Sequence, residues 1–164
     1  QILASHPEVF GAGELNTLNN LCNQYGQIDG NSFPTTFLPK RNTQITTLAN
    51  NYLQTIKELS PDSKHVTDKM PHNFLYIGII LKALPNAKII HCCRSPMDTC
   101  LSIYKQLFSS YHPYAYDLQS LGEYYGCYQK MMTHWHTLAP GKIYNIQYED
   151  LANNTEIETL PHLS

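Results

Sequence analysis

The stretch Ala87–Ser102, AKIIHCCRSPMDTCLS, decides how the chain is read. Its first half is apolar and β-branched, and the near-continuous run KIIHCC suits a central strand covered on both faces. Its second half opens on Ser95-Pro96 and reads as a helix. Ser95 with Asp98 three residues later resembles a capping box that uses Asp in place of Glu, and proline fits the first helical position. The helix carries Met97, Cys100, Leu101, Tyr104, Leu107 and Phe108 on one face. Arg94 stands where strand hands over to helix. Either its guanidinium pairs with a carboxylate such as Asp98, or it waits for an anion; spacing leaves both open.

Upstream, the same arrangement recurs. KHVTDKMP is a short strand leading to Lys69, with Pro71 at the start of the helix HNFLYIGIILKAL. Earlier still, VFGAGELNTLNNLCNQYG reads as a short strand, a Gly-x-Gly turn and an amphipathic helix. Leu15, Leu18, Leu21 and Cys22 follow helical spacing there, and Gly26 supplies a stop. Residues 27–43, rich in Gly, Pro, Asn and Thr, read as a long loop, and a further helix runs from about Thr46 to Leu59. Gln1 to Ser5 look like the end of a helix closed by His6-Pro7, so the chain is expected to begin inside an element.

Downstream of the helix after Arg94 comes an aromatic loop, SSYHPYAY, and then a long helix from about Leu118 to Leu138. Its stripe is Leu121, Tyr124, Tyr125, Tyr128, Met131, Met132 and Trp135. A Pro-Gly-Lys turn leads into a last strand, IYNIQY, followed by EDL. The order strand, helix, strand, helix, helix, strand is that of a parallel α/β sheet with helices on its faces. The final segment loses periodicity, so the domain is placed at residues 1–158, with 159–164 a frayed or foreign tail.

The totals narrow the function classes. A length of 164 residues points to one domain, and 42% hydrophobic with 15% charged residues argues against disorder. The net charge of −2 and the scatter of Lys and Arg give no nucleic-acid surface. No apolar run reaches the roughly 18 residues of a transmembrane helix; FLYIGIILKALP is closed by Lys82 and Pro85. No basic region precedes an apolar one at the N-terminus, so no signal peptide is expected. Cys22, Cys92, Cys93, Cys100 and Cys127 are odd in number and lie mostly in or beside predicted core elements, which fits buried thiols in a reducing compartment. No C-x2-C pair exists, and His134 and His136 point in different directions on a helix, so zinc is not expected.

Ligands of open α/β sheets bind outside the carboxyl ends of the strands. Glu14, Lys69, Arg94 and Tyr148 all fall there, and Ser102 lies two helical turns beyond Arg94. Together they describe a site for an anionic nucleotide. Each also has an ordinary explanation: a solvated lysine, a carboxylate favoured in a helix's first turn, a packing tyrosine, a surface serine. Residue types and spacing leave these open.

Five blocks in order, ILASHPEVFGAGEL, DKMPHNFLYIGIIL, LPNAKIIHCCRSPMDTCLSIYKQLF, YYGCYQKMMTHW and IYNIQYEDL, resemble the sulfotransferase family. The likeness is greatest to bacterial sulfotransferases often fused to tetratricopeptide repeats, and more distant to the tyrosylprotein sulfotransferases. It implies a three-layer parallel sheet flanked by helices, in the P-loop-NTPase-like sulfotransferase fold. It implies transfer of a sulfuryl group from 3′-phosphoadenosine 5′-phosphosulfate (PAPS) to an acceptor hydroxyl or amine, with the desulfated nucleotide PAP as product and no metal. Arg94 and Ser102 would hold the 3′-phosphate and Tyr148 would lie near the adenine. Glu14 looks like the general base of the tyrosylprotein enzymes, and Lys69 like their transition-state-stabilising lysine. Four residues after Ser102, where those enzymes have another nucleotide-binding arginine, this chain has Gln106.

The resemblance also places the family's Gly-rich 5′-phosphosulfate loop ahead of Gln1 and a further nucleotide-binding segment beyond Leu151. The chain therefore reads as a fragment incomplete at both ends, with tetratricopeptide repeats expected upstream in the full protein. Its acceptor is unidentified: a peptide tyrosine, a carbohydrate or a small molecule. Tyr111, His112, Tyr114 and Tyr116 either line an acceptor cleft or pack on the sheet. Two other readings stand beside this one, a non-catalytic fragment or degenerate paralogue acting as a binding module, and a P-loop kinase-like enzyme. The expected location is the bacterial cytoplasm, with the Golgi lumen the alternative in a eukaryote.

Overall fold

In a computed structural model of the chain, residues 2–26, 42–109 and 112–153 are described. The chain divides into two compact units, Gln1–Ala87 and Lys88–Ser164. Each contains one pair of parallel strands.

The first unit opens on a single 3-10 turn, Leu3–Ser5, that ends at His6 in extended backbone ahead of Pro7, as the steric limit before proline requires. Strand β1 (Val9–Gly11) then pairs in parallel with β2 (His65–Thr67), Val9 opposite His65 and Gly11 opposite Thr67. Gly11 has no room for a side chain, since a Cβ there would lie 2.8 Å from that of Ala4. Between the strands run α1 (Thr17–Gly26) and α2 (Asn42–Leu59). Helix α2 starts earlier than the expected Thr46, because its first turn is polar and carries no hydrophobic period to read. Most of the loop expected at residues 27–43 lies outside the described residues.

After β2 the chain forms a 3-10 segment, Pro71–Tyr76, before the short α3 (Ile77–Ala83), where the sequence suggested one continuous helix. Proline has no N–H to donate, and the segment opens on a three-residue bond from Asn73 N to the Met70 carbonyl at 3.0 Å. The core of this unit is helical. Leu18, Cys22, Leu48, Tyr76 and Ile79 are buried together, with Leu21, Tyr25, Tyr52 and Ile80 packed around them.

In the second unit β3 (Ile89–Cys93) pairs in parallel with β4 (Ile143–Gln147), from Ile89 opposite Ile143 to Cys93 opposite Gln147. The crossover between them contains α4 (Pro96–Lys105), a 3-10 turn (Pro113–Tyr116) and α5 (Leu118–Leu138), and β4 leads into α6 (Tyr148–Asn153). Helix α5 has the expected bounds; Asp117 caps it by accepting from Ser120 N at 2.7 Å. Leu121 and Met132 of its stripe are buried, as are Ile143 and Ile146 of β4.

Three expectations change here. Cys92 is exposed, so the described residues do not cover β3 on both faces, and among the cysteines only Cys22 is buried. Helix α4 stops at Lys105, with Gln106 already extended, so Leu107 and Phe108 lie past its end. The face expected to pack is open: Met97 is 79% exposed, and Leu101 and Tyr104 are exposed as well. In the aromatic loop Tyr114 stacks on Tyr124 with ring centroids 3.9 Å apart, and Tyr116 bonds the Phe108 backbone, which is packing against the unit's own residues. Tyr111 lies outside the described residues, as does the tail at 159–164. No helix among the described residues is long and apolar enough to cross a membrane.

Candidate functional site

In the first unit the ladder continues past the strands. Ala12 N donates to the Thr67 carbonyl and Lys69 N to the Gly13 carbonyl, each at 2.9 Å. Gly13 takes the left-handed conformation (φ 73°) that only glycine adopts without strain, and so turns the chain without breaking the pairing. Glu14 and Lys69 consequently stand side by side at the carboxyl ends of β1 and β2, and the Lys69 ammonium meets Glu14 Oε1. The two side chains are 54% and 70% exposed, so water screens the pair and it contributes little to stability.

Asp68, which the sequence reading passed over, supports this edge from behind. Its Oδ2 accepts from the Tyr52 hydroxyl of α2 at 2.8 Å and its Oδ1 from Leu15 N at 3.4 Å. Burial, and then the charge of Asp68, push the Tyr52 hydroxyl well above the usual tyrosine range. The residue types offered no signal for this link, since Tyr52 and Asp68 are distant in sequence and meet only through packing of α2.

In the second unit the last register pair, Cys93 with Gln147, puts Arg94 and Tyr148 one step beyond the strand ends. The Arg94 guanidinium lies over the Tyr148 ring, 5.2 Å from its centre. Among the described residues no carboxylate lies within 4.0 Å of Arg94, so the alternative pairing with Asp98 is not formed. Ser102 is exposed on α4 and makes no side-chain hydrogen bond to another described residue. Glu149, next to Tyr148, accepts from Ser95 N at 3.0 Å. That bond, then its own backbone N–H and lastly Arg94, hold its carboxyl below the usual glutamate range.

Beside Arg94 a pocket of about 230 Å³ is lined by His91, Cys93, Tyr128, His136 and Asn145, among others. His91 Nδ1 lies 2.9 Å from the Oδ1 of Asn145, its direct partner across the β3–β4 register, and its Nε2 meets the Tyr128 hydroxyl. An amide oxygen only accepts, which puts the His91 proton on Nδ1 and leaves Nε2 to accept from Tyr128. Burial holds the His91 pKa below its ordinary value, the Asn145 bond opposing it and His136 adding to it. The same burial pushes Tyr128 up to about 12. A histidine inside an apolar strand, KIIHCC, and an asparagine inside IYNIQY were the available signals for this cluster. Among the described residues no group of three or more His, Cys, Asp or Glu is placed to hold a metal ion.

The description of a sulfotransferase family matches residues 1–160. An uncharacterized protein of Aquifex aeolicus (strain VF5) is 35% identical over 165 residues, a span that covers 95% of this chain and 22% of that protein. The chain thus spans about a fifth of that relative's length. No solved structure matches. With both parallel strand pairs and all the residues at their carboxyl ends inside the matched segment, the chain belongs to the sulfotransferase family.

Proposed function

We propose that the chain carries part of an enzyme that moves a sulfuryl group from PAPS to an acceptor hydroxyl or amine. The observation that supports this most is the meeting of Glu14 and Lys69 at the carboxyl ends of β1 and β2 in a member of that family. An acid–base group and a cation are the two side-chain functions such a transfer requires, because alignment and charge stabilisation dominate the barrier. Glu14 Oε1 receives the acceptor's proton. Lys69 Nζ presents positive charge where the leaving oxygen becomes anionic. Because the pair is exposed and screened, separating it for an incoming acceptor costs little.

The donor set of the second unit fits a nucleotide phosphate. Among the described residues Arg94 has an uncommitted fork of N–H donors and Ser102 an uncommitted hydroxyl, and Tyr148 offers a half-exposed ring beside the arginine. Arg94 and Ser102 would hold the 3′-phosphate and Tyr148 would contact the adenine. When bound, PAPS supplies the sulfuryl group and a bisphosphate leaving group. The proposal includes the family's three-layer, P-loop-like sheet over residues 1–158, tetratricopeptide repeats elsewhere in the protein, and a bacterial cytoplasmic setting.

The test uses the native polypeptide that contains this chain, with PAP binding measured calorimetrically and transfer followed from radiolabelled PAPS to a panel of phenols, amines and sugars. Glu14→Gln and Lys69→Met should keep PAP affinity within about threefold and lower turnover by about 100-fold or more. Arg94→Ala should raise the PAP Kd by more than about tenfold. A wild-type protein that does not bind PAP, or a Glu14→Gln variant with undiminished turnover, would sink the proposal.

A further inference from the structure

We propose that Glu149 is a positioning residue, whose carboxylate fixes Arg94 and Tyr148 against each other by completing the N-terminal cap of α4 from another element. The inference rests on the reading of Arg94 and Tyr148 as nucleotide contacts.

A capping box needs two reciprocal bonds. The N-cap side chain accepts from the backbone N–H at the third helical position, and the side chain there accepts from the N-cap N–H. Helix α4 has the first: Ser95 Oγ accepts from Asp98 N at 3.5 Å. The second is not made by Asp98, whose side chain is one methylene shorter than the glutamate usual there. Ser95 N donates instead to Glu149 Oε1 at 3.0 Å, across 54 residues of sequence.

The consequence lies in the neighbours. Ser95 directly follows Arg94, and Glu149 directly follows Tyr148. One bond between the second members of two dipeptides therefore holds the first members in register. The Arg94–Tyr148 contact at 5.2 Å has little of its own to keep it closed, since the ring is 51% exposed and the guanidinium has no carboxylate within 4.0 Å among the described residues. The β3–β4 ladder ends one residue earlier, at Cys93 and Gln147. The Glu149 bond is the next tie beyond the ladder, and it reaches the two side chains that the ladder leaves behind. Glu149 also spends its charge on a backbone amide, so it stands beside Arg94 without neutralising it as a direct ion pair would.

The experiment is NMR on the same polypeptide as wild type, Glu149→Ala and Glu149→Gln, followed by PAP titration. In the wild type, the Ser95 amide resonance and the ring-current shift of the Arg94 δ-methylene should titrate together, with one midpoint below the usual glutamate range. Glu149→Gln, neutral like the protonated glutamic acid and still an acceptor, should hold both resonances near the wild type's acid limit with no such midpoint, and keep the PAP Kd within about threefold. Glu149→Ala should expose the Ser95 amide to exchange, abolish the Arg94 shift and raise the PAP Kd about tenfold. If Glu149→Ala does not fold, the joint titration in wild type and its absence in Glu149→Gln still decide the matter. Independent titration of the two resonances, or an Arg94 shift or PAP Kd unchanged in a folded Glu149→Ala, would overturn the inference. A wild type that shows the joint titration but binds no PAP overturns the function proposed above and leaves the clasp standing.

Discussion

Replacing Tyr52 by Phe removes one hydroxyl and leaves the ring, so it isolates the bond to Asp68. That bond is 2.8 Å long, links α2 to the end of β2, and has a carboxylate acceptor. A hydrogen bond to a charged group contributes about 1.5–3 kcal/mol net when buried. Both partners are only half-buried here, so water replaces part of what Asp68 loses and the expected cost falls to about 1–2 kcal/mol. Because the chain has two units, the cost is best read locally, from native-state amide exchange at Leu18 and Leu48 in the first unit's core. The protection there should drop by about 5-fold to 30-fold at neutral pH, with amides of α5 unchanged. The same substitution has an alkaline signature. Tyr52 is pushed above the usual tyrosine range in the folded chain, so its stabilisation is complete below the unfolded value near pH 10 and is lost as pH rises toward the folded one. The gap between wild type and Tyr52→Phe should therefore narrow above about pH 10. Unchanged protection at neutral pH, or a gap that widens in alkali, would refute the argument.

Leu48 is fully buried between α1 and the segment around Tyr76, so Leu48→Ala should lose about 2–5 kcal/mol in a denaturant titration of the first unit, with β3 and β4 amides unaffected. In the second unit, burial depresses the pKa of His91, so its stabilising contribution is present above about pH 6.5 and is lost as pH falls. Thermal melts between pH 5 and 7 should therefore show that unit weakening on acidification, and His91→Gln should flatten the slope; an equal slope in the variant would remove His91 as its source.

Much of the local structure was legible. Helix α5 announced itself over Leu118–Leu138 because its apolar residues recur at helical spacing for several turns, and the Ser-Pro start of α4 because capping chemistry is local. The start of α2 and the 3-10 segment after Pro71 were not legible, since neither a polar first turn nor a tighter helix alters the hydrophobic period. The exposed face of α4 failed for a different reason: periodicity shows which residues share a face, not whether anything covers it.

The positions of the site followed the same division. Strand ends are local features, so sequence alone put Glu14, Lys69, Arg94 and Tyr148 at carboxyl edges and carried the family assignment. Which of them touch was decided by the parallel register of β1 with β2 and of β3 with β4, a long-range property that no single stretch contains. Only the tertiary structure joined Lys69 to Glu14, stacked Arg94 on Tyr148 rather than pairing it with Asp98, and brought Glu149 to the amide of Ser95. The sequence specified each group's chemistry because that resides in the residue. Its partner depends on strand pairing and helix packing between residues about 50 apart, and that the chain settles only by folding.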